Sequence, residues 1–220
     1  MSARKNPTRK PHRILFGELA AEIAEIAKGF YARGWSLGTS GNFSAVIRTN
    51  PLRLAITASG LDKGRLVPSD VLEIDADEKV TFGTGRPSSE AAIHIAIVQG
   101  RSAGAVLHTH SVCGTVVSEA EASKGGLQLK GYEMLKGLEG VSSHEHVECL
   151  PILDNSQNMK ELSGKVADLL ERRPAIHGFL LRGHGLYTWG ATPQEAKRHV
   201  EILEFLMEVL VRSKPSLNAG

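Results

Sequence analysis

Two short apolar segments early in the chain are separated by too few residues to lie parallel in one sheet. Residues 42–47 and 52–57 have strand-like composition, and the turn signal Thr49-Asn50-Pro51 lies between them. Because parallel strands need a crossover of about a dozen residues or more, so short a link favours an antiparallel hairpin. Residues 71–75 and 79–82 flank Ala76-Asp77-Glu78 in the same way. The early strands are therefore expected to be antiparallel.

The rest of the chain predicts helices and further strands. From Ile14, apolar residues recur at three- and four-residue steps and predict an amphipathic helix that ends at Gly34. Ser88 or Ser89 is expected to cap a second helix, and Thr192 begins a capping box for the last one. These two helices are expected over 91–99 and 193–212, and two others over 111–120 and 159–172. Strands are expected over 105–107, 147–152, 179–182 and 186–189. The sum is an α/β fold with a mostly antiparallel central sheet flanked by helices.

Size and composition indicate one globular domain. The chain has 220 residues, of which 41% are hydrophobic and 23% charged, which excludes a disordered, collagen-like or coiled-coil protein. Two cysteines, Cys113 and Cys149, are too few for a disulfide scaffold and favour a reducing compartment, so a cytoplasmic location is expected. No segment approaches the roughly 18 apolar residues that a membrane span requires.

The net charge of +2 comes from one end of the chain. The first thirteen residues contain no acidic residue and carry five basic ones: Arg4, Lys5, Arg9, Lys10 and Arg13. Without them the remainder is mildly acidic, so no basic face for nucleic acid or a membrane is expected. We expect a flexible arm over 1–12, a folded domain over 13–213 and a tail over 214–220.

The strongest local motif is His108-Thr109-His110, which ends the apolar run 105–107. In an extended strand, residues two apart point to the same face, so both imidazoles would project together at a spacing suited to one metal ion. The alternative is that both rings lie at a strand end and form hydrogen bonds with the backbone or with water. A catalytic zinc site usually needs a third protein ligand, for which His184, between two glycines, is the best candidate. By itself His184 is equally typical of a turn.

Other residues near these motifs are expected to have supporting roles or none. His144-Glu145-His146 repeats the spacing, but it follows two serines on an expected exposed loop. Cys113 is expected to be a buried thiol rather than a soft ligand. His94, among isoleucines on a helix, favours a position in the core or behind the site.

Three segments have the composition of an anion-binding cradle: residues 38–42, 57–60 and 87–90. Glycine-rich backbone, hydroxyl groups and a helix start together suit a phosphate. None matches the P-loop or the dinucleotide fingerprint. A small phosphorylated metabolite is therefore expected, not ATP or NAD.

These motifs together resemble a known family. The ordered set G-T-S-G-N-F-S at 38–44, T-A-S-G at 57–60, P-S-S-E at 87–90, H-T-H at 108–110 and R-G-H-G at 182–185 is similar to the class II (zinc-dependent) aldolase and adducin-head superfamily. The resemblance spans about residues 14–212. Residues 131–137 and 187–190 are most similar to the sugar-phosphate dehydratases of methionine salvage within that superfamily.

The resemblance implies a three-layer α/β/α fold, one zinc ion per subunit, and a homotetramer with active sites near subunit interfaces. It implies that zinc is bound by His108, His110 and His184. It also implies that the substrate phosphate is surrounded by Asn42, Ser59, Gly60, Ser88 and Ser89.

The implied reaction is the dehydration of 5-methylthioribulose 1-phosphate to 2,3-diketo-5-methylthiopentyl 1-phosphate. Glu133 matches the catalytic glutamate of the dehydratases and is expected to be the acid/base, with a pKa raised by a water-poor pocket. Glu90 matches the acid/base position of the aldolases and would orient the enediolate or a zinc-bound water. Because both carboxylates are present, a class II aldolase is the first alternative. A non-catalytic adducin-like interaction module is the second, and such a module has no need of three histidines.

Overall fold

Nine strands form a single sheet in the computed structural model, which describes residues 12–213. In chain order they are β1 (Asn42–Thr49), β2 (Leu52–Thr57), β3 (Val71–Asp75), β4 (Val80–Phe82), β5 (Ala105–Thr109), β6 (Gly126–Lys130), β7 (Val147–Leu153), β8 (Gly178–Leu181) and β9 (Gly185–Gly190). Their order across the sheet is β4-β3-β2-β1-β5-β9-β8-β7-β6. All neighbours are antiparallel except β7 and β8. The expected mostly antiparallel sheet is confirmed, with one parallel pair that the sequence did not predict.

Five α-helices of the described chain cover both faces of this sheet: α1 (His12–Ala32), α2 (Ala91–Arg101), α3 (Val112–Ala120), α4 (Met159–Arg172) and α5 (Pro193–Ser213). Side chains alternate along each strand, so β2 directs Leu54 and Ile56 into a core with α2 and α4. Ala55, between them, packs with α1 on the opposite face. A third cluster joins α3 and α5 to strands β6 to β9. The sheet is thus held between two helical layers.

The ends of two helices test the expected caps. Thr192 caps α5 as expected, since its hydroxyl accepts from the Glu195 backbone N–H at 3.1 Å. The expected cap of α2 is wrong: Glu90 occupies that position, and Ser88 contributes only an acceptor for the Glu90 N–H at 3.2 Å. This helix also continues through Gly100, because a glycine inside a helix is tolerated where packing supports it.

Two elements are not predicted from the sequence. Strand β6 is a short edge strand in which only Leu127 and Leu129 are buried, too few positions for a clear alternation. The segment Glu133–Gly137 is a 3₁₀ helix. The expected arm over 1–12 lies outside the described residues except for His12, which begins α1, and so does the tail over 214–220. Across residues 12–213, no helix is both long enough and apolar enough to cross a membrane.

Candidate metal centre and phosphate pocket

Three histidines from two neighbouring parts of the sheet meet at one point. His108 lies near the end of β5, His110 follows that strand, and His184 lies in the tight turn between β8 and β9. The Nε2 atoms are 2.7 Å apart for His108 and His110, 3.3 Å for His108 and His184, and 3.1 Å for His110 and His184. The structure therefore brings together all three predicted metal ligands.

The donor arrangement of these rings fits a metal ion. His108 Nδ1 donates to the Leu186 carbonyl at 2.9 Å, which leaves its Nε2 lone pair facing the other two rings. Zn–N bonds of about 2.05 Å in a tetrahedron separate two nitrogens by about 3.3 Å, close to the spacing observed. Burial and the neighbouring histidines lower the pKa of His108 well below its ordinary value, and burial lowers the pKa of His110 to about 4. Neutral imidazoles are the form that binds a metal.

Glu90 completes this cluster. Its Oε1 lies 3.4 Å from His184 Nε2, and its Oε2 lies 3.6 Å from His108 Nε2. The carboxylate is buried, and all four side chains satisfy the spacing of a common metal site. Glu90 can therefore act as a fourth ligand or as a base beside the ion.

A buried chain of hydrogen bonds fixes the position of Glu90. Asn42 Nδ2 donates to Glu90 Oε2 at 2.6 Å, and Asn42 Oδ1 accepts from His94 Nε2 at 2.5 Å. The Ser44 hydroxyl then donates to His94 Nδ1 at 2.7 Å. Burial lowers the pKa of His94 to about 3, so the ring stays neutral and keeps this donor pattern. His94 lies behind the site, as its apolar neighbours predicted.

A cavity of about 170 Å³ adjoins the cluster and contains the predicted phosphate-binding residues. Its lining includes Asn42, Ser59, Gly60, Ser88 and Ser89. One donor of Asn42 is committed to Glu90, so the hydroxyls and backbone amides of the other residues are the groups available to an anion.

Lys63 also lines this cavity, although no sequence motif pointed to it. Its Nζ donates to the carbonyls of Thr39 and Leu61, both at 3.0 Å. Burial lowers the pKa of Lys63, and the buried ammonium supplies the positive charge that the loops lack. The only sequence signal was a lysine four residues after Ser59, which by itself is typical of any exposed turn.

Two glycines permit the close approach of backbone around the histidines. A Cβ atom on Gly185 would lie 1.9 Å from the Thr109 carbonyl oxygen. Gly41 has φ of +74°, and a Cβ there would lie 2.8 Å from the His108 carbonyl oxygen. Both positions therefore require glycine.

Glu133 is not brought to this cluster within one chain. Its side chain is 71% exposed, forms an ion pair with Lys136, and lies 3.9 Å from His144 Nδ1. The hydrogen bond from Lys136 lowers the pKa of Glu133. The expectation of a water-poor pocket and a raised pKa is therefore wrong for the isolated chain.

Of the residues expected to have supporting roles or none, Cys113 and His144 lie as expected and His146 does not. Cys113 is half-buried, with its pKa raised by burial, in keeping with a packed thiol. His144 is exposed beside Glu133, as expected of a loop residue. His146, however, belongs to a second cluster with Glu148 and His177. The expectation that both histidines lie exposed on one loop is wrong for His146, because alternate positions of a loop need not share a face.

Glu204 of α5 supports Thr109, the last residue of β5, which lies between His108 and His110. Its buried Oε1 accepts from the Thr109 hydroxyl at 2.5 Å. Burial raises the pKa of Glu204 to about 7, well above that of an exposed glutamate. In the folded protein this carboxyl is therefore protonated over a wider pH range than in the unfolded chain.

We expect Glu204 to make stability fall as pH rises from about 4.5 to about 7, because over that window the folded state binds the additional proton. Glu204→Gln keeps the acceptor and cannot ionise. The free energy of unfolding of this variant, relative to that of wild type, should rise by on the order of 2–3 kcal/mol when the pH is raised from about 4.5 to about 8. Free energies of unfolding from denaturant titrations at both pH values measure this gain. Glu201→Gln is the control, because Glu201 lies on the same helix and is not among the groups that shift the pKa of Glu204. An equal pH dependence in Glu204→Gln and wild type would contradict the assignment.

Comparison with known proteins shows the family to which the chain belongs. Residues 21–211 match the family described as class II aldolase and adducin N-terminal domain. The chain is 41% identical over 195 residues to the methylthioribulose-1-phosphate dehydratase of Sorangium cellulosum, covering 88% of this chain and 91% of that protein. It is also 41% identical to the enzyme of the same name from Marinobacter nauticus, covering 88% and 92%.

Solved structures show the same fold at lower identity. YgbL of Escherichia coli has a TM-score of 0.76 at 23% identity, with 91% of each chain covered. L-fuculose-1-phosphate aldolase of Thermus thermophilus has a TM-score of 0.70 at 24% identity, covering 96% of this chain and all of the other. The chain belongs to the class II aldolase and adducin family and is related within it to methylthioribulose-1-phosphate dehydratases.

Proposed function

We propose that this protein is a lyase that dehydrates 5-methylthioribulose 1-phosphate to 2,3-diketo-5-methylthiopentyl 1-phosphate in methionine salvage. The observation that carries the proposal is the junction of a three-histidine centre with a phosphate-sized cavity that contains a buried lysine. The identity of about 41% to dehydratases of that name supports the choice of substrate.

His108, His110 and His184 would hold one zinc ion, since three imidazoles leave a fourth position open. When bound, this ion would supply Lewis-acid chemistry at the C2 carbonyl of the ketose. The cavity beside it would orient the substrate through its 1-phosphate, with Lys63 and the hydroxyls of Ser59, Ser88 and Ser89 as partners. Phosphate binding at one end thus places the carbonyl end near the histidines.

The chemical steps concern two adjacent carbons. A base removes the proton from C3, and the C4 hydroxyl then takes up a proton and leaves as water. The resulting enol tautomerises to the 2,3-diketone, with a proton added at C4. Glu90, fixed by Asn42 next to the metal centre, would orient the enediolate, and Glu133 would carry the protons to and from carbon and oxygen.

Glu133 can do this only if it faces a site that a single chain does not enclose. Its exposure in the isolated chain is consistent with a role at the site of a neighbouring copy. We therefore infer a homotetramer in which the 3₁₀ segment of one subunit covers the metal centre of the next. Residues 13–213 would form this catalytic domain, in a cytoplasmic enzyme with the flexible arm 1–12 and the tail 214–220 outside it.

A class II aldolase is the second candidate, because Glu90 lies beside the metal centre where an aldolase would use an acid/base. A non-catalytic adducin-like module needs no metal centre, so the complete set of three histidines favours an enzyme.

Incubation of the zinc-loaded protein with 5-methylthioribulose 1-phosphate should yield the diketone with the loss of one water, seen as a mass decrease of about 18 Da. The same assay with fuculose 1-phosphate and ribulose 1-phosphate is the matched control. Dihydroxyacetone phosphate together with an aldehyde, from any of these substrates, would support the aldolase instead. A lack of turnover in the loaded protein would contradict both enzymes.

A further inference from the structure

A second cluster of metal-ligating side chains lies away from the centre described above and shares no residue with it. His146 immediately precedes β7, Glu148 lies within β7, and His177 immediately precedes β8. Because β7 and β8 are parallel neighbours, the two histidines lie at the same end of these strands. Their ring nitrogens and the Glu148 carboxylate lie within 4.8 Å of one another.

Glu148 is the centre of this cluster. Its Oε2 lies 2.9 Å from His146 Nε2 and 2.8 Å from His177 Nδ1. Its Oε1 accepts from the His177 backbone N–H at 3.0 Å, which fixes the orientation of the carboxylate. The side chain is 1% exposed, so this negative charge requires positive partners close by.

The outer hydrogen bonds of His177 suit a metal ligand. Its Nε2 donates to the Glu139 carbonyl at 2.8 Å, which fixes the ring and directs Nδ1 at the cluster. A ligating histidine usually donates its other ring nitrogen to a carbonyl or carboxylate in this way. His199 is nearby but has no free nitrogen, since Nδ1 donates to the Trp189 carbonyl at 2.7 Å and Nε2 accepts from the Glu139 N–H at 3.1 Å.

A large cavity opens beside the cluster. It has a volume of about 480 Å³, and His146, His177 and Trp189 are among its lining residues. Three protein ligands leave a fourth position of a tetrahedral ion open. The cavity supplies space for a water or another small ligand at that position.

We propose that His146, Glu148 and His177 form a second metal site, which binds a divalent ion of the zinc class through two imidazoles and one carboxylate. This donor set favours zinc, cobalt or nickel over magnesium or calcium, which prefer oxygen ligands alone. The ion would replace the contacts that now link Glu148 to the two rings. The site is independent of the dehydration chemistry, since it shares neither residues nor cavity with the first centre.

The experiment is a titration of the full-length, chelator-stripped protein with Zn²⁺ alone, followed by calorimetry and by elemental analysis after gel filtration. Wild type should bind two equivalents per chain, and His146→Ala should bind one. His144→Ala is the matched control, because His144 is two residues away, exposed and outside the cluster, and it should bind two. Circular dichroism and the thermal midpoint report whether each variant folds.

A second test, in a variant that lacks the first metal centre, makes the result independent of the His146→Ala variant alone. His110→Ala combined with His184→Ala disables the first centre and should still bind one equivalent, with a thermal midpoint raised by Zn²⁺. Adding His146→Ala should remove that equivalent and that shift. One equivalent in wild type, none in the double variant, or two in His146→Ala would overturn the proposal and leave Glu148 as the acceptor of an ion-paired histidine.

Discussion

Replacing His110 with alanine should weaken metal binding at the first centre and lower turnover by more than about 100-fold. Loss of a group that merely supports a metal ligand typically costs about 10–100-fold, and loss of the ligand itself should cost more. His110 supplies one of three Nε2 atoms that lie 2.7–3.3 Å apart, so its loss leaves two imidazoles and the Glu90 carboxylate as the groups that can hold the ion. Its ring is only partly buried, so the variant should fold.

The measurement is metal content together with kcat, made in the His146→Ala background so that only the first centre contributes metal. His144→Ala in the same background is the control and should keep the metal of the first centre. A zinc content that is unchanged by the loss of His110, at zinc concentrations too low to saturate a weakened site, would show that this histidine is not a ligand.

Glu133→Gln should lower turnover by about 10²–10⁴-fold while the metal content stays at the wild-type level, the range typical of a general acid–base residue. The amide keeps the shape of the side chain but cannot carry a proton in the reaction. Because the Glu133 side chain is 71% exposed, the substitution should not change the free energy of unfolding. Glu171→Gln, the same change at an exposed position of α4, is the matched control and should keep wild-type turnover.

Mixed oligomers test whether Glu133 acts on another copy. Glu133→Gln subunits keep the metal centre, and His110→Ala subunits keep the glutamate. If each site combines the two from different chains, co-expression of the two variants should restore turnover that neither has alone. Mixed oligomers without activity would contradict the shared site, and near-normal turnover of Glu133→Gln would remove this residue from the mechanism.

Local sequence was sufficient to predict much of the fold and the three histidines of the candidate metal centre. The short link between residues 47 and 52 allows only an antiparallel pair, which β1 and β2 form. The two-residue periodicity of a strand was sufficient to direct His108 and His110 to one side, since that geometry is local. His184 was chosen for the glycines on either side of it, and the phosphate-binding segments were chosen for their glycines, hydroxyl groups and helix start. The resemblance to the family then implied the same residues.

Residues brought together only by packing could not be predicted in this way. Asn42 and Glu90 are 48 positions apart, and Lys63 carries no local signal of burial. Glu148 and His177 meet only because β7 and β8 are adjacent and parallel. The antiparallel hairpins predicted elsewhere in the chain give no indication of this pairing.

The sequence by itself determined the two early hairpins, the amphipathic helices and the strand-end position of His108 and His110, because each depends on neighbouring residues and on the fixed periods of helix and strand. The tertiary structure decided that Asn42 holds Glu90 in place, that Lys63 lines the candidate phosphate cavity and that Glu133 does not reach the centre of its own chain. It also decided that His146, and not His144, belongs to a second cluster. These outcomes depend on which distant strands become neighbours, and long-range packing sets that choice.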